Sequence, residues 1–159
     1  MRLMLRLMTT VGLSVLLSGC LGYVPGRQSH WDTRVKELCE KEAGVTVYER
    51  VTLTQSEYRL LRGPGGGVVI PSKNLAGPDA PYFRETLQTS LRAWNPEVFR
   101  REARIIRASD GKVLSQSITY GRIGGDMPSP AHPSSFGCRD IGFSLDIEQQ
   151  TFLLPEGGK

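Results

Sequence analysis

Arg104-Ile105-Ile106-Arg107-Ala108-Ser109-Asp110-Gly111-Lys112-Val113-Leu114 decides how this 159-residue chain is read. Two runs, 104–108 and 112–120, flank Ser-Asp-Gly, and an Asp-Gly pair between strand-like runs is a strong short-range hairpin signal. A competing reading starts just upstream. Asn95-Pro96-Glu97 suits the first turn of a helix, and Phe99, Ala103 and Ile106 carry helical spacing. The hairpin is favoured. Leu87, Thr89, Leu91 and Ala93 alternate with Gln88, Ser90 and Arg92, so a third, half-buried strand precedes it. The expectation is a three-stranded antiparallel meander, with Arg100, Arg101, Arg104 and Arg107 forming a solvated basic outer surface.

Working outward, Asp32–Ala43 reads as a helix. Asp32 serves as N-cap, Val35, Leu38, Cys39 and Glu42 or Ala43 follow one face, and Gly44 stands where helices often end. Trp31 is placed to pack back on Val35 as a hydrophobic staple, and Cys39 falls on the buried side. Val45 to Leu53 alternates and is rich in β-branched residues, which predicts one strand with one buried face. Thr54-Gln55-Ser56-Glu57 fits a capping box opening a short helix over Tyr58, Leu60 and Leu61. Gly63 to Gly67 has glycines able to cradle a phosphate but no following Lys-Ser/Thr, so it reads as a turn. Val68 to Ile70 reads as a short strand and 71–81 as a loop. Phe143, Leu145 and Ile147 alternate again, and Phe152 to Leu154 closes the last apolar stretch. The fold class expected is α+β, an N-terminal helix packed on a mostly antiparallel sheet.

At the other end of the chain, Arg2 and Arg6 precede an apolar run from Leu7 to Leu17 that closes in Ser18-Gly19-Cys20. A positive start, an apolar middle and a small-residue cleavage site make a secretory signal. A spanning helix needs roughly 20 predominantly apolar residues, and Thr9, Thr10, Gly12 and Ser14 interrupt this run. Leu17-Ser18-Gly19-Cys20 resembles the lipobox of bacterial lipoproteins. That resemblance implies cleavage before Cys20, a thioether-linked diacylglycerol on its sulfur and an acylated amine. Gly22, where some lipoproteins carry Asp, resembles the sorting pattern of the outer membrane. The expected organisation is a signal peptide over 1–19, lipidated cysteine and tether over 20–30, and a single periplasmic domain over 31–159.

With Cys20 assigned to lipid, Cys39 and Cys138 are the one pair left for an oxidising compartment. A bridge between them closes a loop of about 100 residues, roughly 4.7 kcal/mol in the chain-entropy account; the alternative is two unconnected buried thiols. The formal net charge of +4 falls to +2 once Arg2 and Arg6 leave with the signal. No clustered basic face supports a nucleic-acid partner. Neither His30 nor His132 has a cysteine or acid at zinc-ligand spacing, so no metal and no cofactor are expected.

Gly121 to Gly137 is long and irregular, with four glycines and three prolines. Such loops in small domains tend to be functional or disordered. Arg122, Asp126 and His132 are its candidate binding residues, with Met127 and Phe136 as apolar companions. Asp126 and His132 also suit a catalytic set with Ser134 or Ser135, although no nucleophile elbow surrounds either serine.

Several blocks resemble a group of small, uncharacterised proteobacterial lipoproteins. They are Trp31-Asp32, Arg34-Val35, Leu38-Cys39, Ser109 to Leu114, Tyr120-Gly121-Arg122 and His132 to Phe136. The resemblance implies a shared fold and address and no activity. The function expected is therefore a lipid-anchored envelope protein acting as a binding or accessory module without catalysis, facing the periplasm from the outer membrane. Its partners are the membrane, through Cys20, and a possible envelope protein. Two alternatives stand beside it: an inhibitor of a cell-wall hydrolase, and a hydrolase using Asp126, His132 and a nearby serine.

Overall fold

The Ser-Asp-Gly hairpin closes one end of the main sheet in the computed structural model, which describes residues 27–126 and 133–155. Asp110 accepts hydrogen bonds from the Lys112 backbone N–H (3.0 Å) and the Arg107 guanidinium (3.0 Å), while Gly111 takes a φ of 68° that L side chains rarely adopt. The strands on either side are long. In chain order the elements are α1 (Arg27–Glu42), β1 (Gly44–Val47), β2 (Val51–Thr52), α2 (Gln55–Leu61), β3 (Tyr82–Arg92), β4 (Glu97–Arg107), β5 (Val113–Ile123) and β6 (Ser135–Gly137). A 3₁₀ turn (Cys138–Ile141), α3 (Ile147–Thr151) and β7 (Phe152–Leu153) complete them. The main sheet has the order β1-β5-β4-β3, with β6 also on β5, and every pair in it is antiparallel. β2 and β7 form a small parallel pair. The fold is α+β, and Asn95-Pro96 lies in the turn between β3 and β4 with Glu97 opening β4, so no helix starts there.

Two hydrophobic clusters lie at the two ends of the sheet. Near the Ser109–Gly111 hairpin, Leu53, Tyr58, Leu61, Ile70, Tyr82, Ile105, Leu114, Ile147 and Phe152 pack together. Under α1, Val35, Cys39, Val98, Tyr120 and Cys138 form the second, with Trp31, Leu38, Ile118 and Phe136 against them. Each fully buried aliphatic side chain contributes about 1.5–3 kcal/mol, so the Val35–Cys39 stripe is what fixes α1 to β5. The sulfurs of Cys39 and Cys138 are 2.00 Å apart, with Cα atoms 5.4 Å apart, and tie α1 to the end of β6.

Several local expectations change. α1 begins at Arg27, and Asp32 lies inside it, because its carboxylate is drawn to the Arg122 guanidinium and caps nothing. Trp31 is likewise within the helix, under the Arg92 guanidinium at 5.1 Å. The run 45–53 breaks into β1 and β2: the N–H groups of Tyr48 and Glu49 both donate to the Leu114 carbonyl, and Glu49 then pairs with Arg107 and with Lys112. Val68–Ile70 makes a single bridge, Arg62 to Val68. Leu87 and Leu91 are exposed, since α1 packs on β5 and β6 and leaves the β3 edge uncovered. The 143–147 alternation leads into α3 and makes no strand. The leader, Cys20 and the tether up to residue 26 lie outside the described residues.

Candidate functional site

β5 runs to Ile123 and β6 returns beside it, with Arg122 opposite Phe136. Residues 121–123 and 135–137 of the expected irregular loop are therefore paired strand. Arg122 is only 1% exposed. Its Nε donates to Asp32 of α1 at 2.5 Å, and its Nη1 donates to the Gly124 carbonyl and to Ser134 Oγ at 3.1 Å. Ser134 Oγ accepts a further bond from Gln28 (3.0 Å) and donates to Asp126 Oδ1 at 2.7 Å. The Ser134 backbone N–H donates to the other oxygen of Asp126. These bonds to Ser134 hold the Asp126 carboxyl below its usual range, and the Arg122 charge adds to the effect. From the neighbouring turn, Asn95 Oδ1 accepts the Gly125 N–H at 2.6 Å.

Arg122 and Asp126 are therefore joined through Ser134, in a bracket stitching α1, the β3–β4 turn and the loop base together. Arg122 presents no surface to a ligand. Asp126 is half-buried, Ser135 is exposed on β6, and His132 and Met127 lie outside the described residues. A serine hydroxyl has one proton and two acceptor positions, and Ser134 uses all three within the bracket. That saturation suits a structural strut better than a nucleophile.

Of the four β4 arginines, Arg101 is exposed and donates to Gln88, whereas Arg100, Arg104 and Arg107 are ion-paired and form no free basic surface. Glu102, 7% exposed, lies between Arg100 (2.8 Å) and Arg104 (2.7 Å to Nε). The Arg100 hydrogen bond foremost, and Arg104 with it, hold the Glu102 carboxyl below its ordinary range against the opposing effect of burial. Beside them Tyr120 donates to Glu42 at the end of α1 (2.5 Å), which lowers the Glu42 carboxyl, while burial raises the Tyr120 phenol.

A cleft of about 510 Å³ opens beside the core near the Ser109–Gly111 hairpin, within the size range of ligand sites. It is built where α2 ends. Leu61 points into the core, whereas Leu60, one residue away, is 67% exposed on the cleft wall. Val69 is anchored by its N–H to the Leu61 carbonyl (2.8 Å) yet leaves its side chain exposed. The Gly63–Gly67 turn is closed by Gly63 N–H to Gly67 O and by the Tyr58 hydroxyl to Gly66 O. Pro71, Pro78 and Pro81 supply the opposite wall, and Arg62 and Asp79 are the charged groups of the lining. A second groove of about 420 Å³ includes Ala103, Ser117, Thr119 and Gly121 in its lining, with Phe99 and the Arg84–Glu148 ion pair (2.9 Å) beside them. Among the described residues no group of three His, Cys, Asp or Glu side chains is arranged to hold a metal ion.

No family profile, no curated protein and no solved structure matches the chain. The cleft was missed at the sequence level. Its glycines and prolines read as turn punctuation, and the one usable signal was the pair Leu60-Leu61, of which a short amphipathic helix can bury only one.

Proposed function

We propose that the protein is a lipid-anchored cell-envelope module, tethered through Cys20 on the periplasmic side of the outer membrane, that binds a partner through the cleft at the end of α2. The observation that carries this reading is the cleft itself: an open, largely aliphatic and prolyl concavity with Leu60 and Val69 exposed in it and one cation and one carboxylate in its lining. Such a surface suits an apolar side chain or a short hydrophobic segment, and binding rather than bond-breaking. The lipobox-like leader supports the address, and the saturated Ser134 gives the hydrolase alternative no advantage.

A photo-crosslinking side chain at Leu60, in the full chain expressed in a bacterial envelope, tests the reading against the same probe at the exposed Thr46 on β1. The expected result is a discrete adduct from Leu60 alone, abolished by Val69→Asp. Identical adducts from both positions, or none from Leu60, would overturn the assignment of the cleft.

A further inference from the structure

Trp94 is 77% exposed at the tip of the β3–β4 turn, and no described residue covers it. Leu91 is half exposed just before it, and Ile123, paired with Glu97 across β4 and β5, is exposed at the same end of the sheet. This end is also where α1 begins. Arg92 stacks on Trp31 and donates to the carbonyls of Asn95 and Pro96, and Gln28 is bonded to Ser134. Cys20 lies seven positions before Arg27, so the chain between them reaches at most about 25 Å. Strands of 11 residues span about 36 Å. The Trp94 end is therefore within reach of a lipid on Cys20, and the Ser109–Gly111 hairpin is not.

We propose that this end of the sheet is a membrane-contact face: the Trp94 indole, with Leu91 and Ile123, rests in the headgroup–acyl boundary of the bilayer that holds the Cys20 lipid. The inference rests on the lipoprotein reading. Indole is apolar over most of its surface and carries one N–H donor, which suits a boundary where one side is apolar and the other wet. One indole and two aliphatic side chains bind a bilayer weakly from solution. Tethering makes the encounter intramolecular and raises the effective concentration, so a weak contact becomes populated. The domain then stands on this end, and the cleft, which adjoins the opposite core, faces away from the membrane.

The test uses full-length protein processed in cells, purified from the envelope and reconstituted into phosphatidylethanolamine–phosphatidylglycerol vesicles with or without brominated acyl chains. Its N-terminal peptide is weighed in the same preparation. Acylated protein should lose Trp94 emission in brominated vesicles. Trp94→Phe should remove the quenchable component, and Trp94→Phe with Ser109→Trp should restore emission that bromine does not quench. Trp94 and Ser109 are exposed turn positions, so these variants should fold as wild type. Acylated protein whose Trp94 emission is unchanged by bromine overturns the contact face and leaves the anchor standing. An unacylated Cys20 overturns the anchor and the contact face with it.

Discussion

At the scale of single residues, Arg122 and Glu102 carry the largest electrostatic commitments. Arg122 is a buried cation whose compensation comes from Asp32, a carbonyl and a hydroxyl. Removing one member of a buried ion pair leaves the other uncompensated and costs about 3–5 kcal/mol. Arg122→Ala should therefore lower the urea midpoint sharply. A variant as stable as wild type would show that the bracket does not hold α1. Glu102 makes a pH prediction. Its folded pKa lies below the ordinary glutamate value of 4.5. The stabilisation is thus fully present above that value and is lost as pH falls through the lower folded pKa. Glu102→Gln should be destabilised at pH 7 by about 1–2 kcal/mol, discounted because Arg104 is partly solvated. Denaturation at pH 7 and pH 3 should show the gap from wild type narrowing in acid; a gap that widens contradicts the assignment.

At the scale of elements, the parts legible in the sequence were those fixed by local chemistry. Asp110-Gly111 set the hairpin because one carboxylate and one positive φ suffice to turn the chain. The capping box at α2 was legible for the same reason: Thr54 Oγ1 accepts the Glu57 N–H at 3.3 Å, and Glu57 accepts the Thr54 N–H at 2.9 Å. Thr54→Ala should cost about 1 kcal/mol, read as a lowered midpoint with unchanged denaturant slope. What long-range partners decide stayed hidden. Asp32 looked like a cap because Arg122, 90 positions away, is invisible to spacing. The 45–53 strand looked continuous because the Leu114 carbonyl that ends it belongs to another strand. In the candidate loop, the residues singled out were Arg122, Asp126 and His132 for binding, and Asp126 and His132 with Ser134 or Ser135 for catalysis; only the packing shows that Arg122 is internal and that it meets Asp126 through Ser134. Gly121 is another such case. A Cβ there would lie 2.6 Å from the Phe99 ring, so Gly121→Ala should displace Phe99 and cost about 1–3 kcal/mol, with altered ring resonances by NMR.

At the scale of the whole molecule, the two cores share one sheet, and the Cys39–Cys138 link closes 99 positions of chain around it. Cys39→Ala and Cys138→Ala should each destabilise by about 2–5 kcal/mol. They remove one shared constraint, so the double variant should be barely worse than either single one. Fully additive losses would argue against a common bridge. The same architecture separates the end proposed to meet the membrane, with Trp94 and the start of α1, from a cleft at the other core. That division of labour depends on Cys20 bearing the lipid, and the mass of the N-terminal peptide of the protein taken from bacterial envelopes measures it directly. The account predicts a chain beginning at Cys20, carrying a diacylglycerol thioether and an acylated amine. A peptide that still begins at Met1, or an unmodified Cys20, would contradict it.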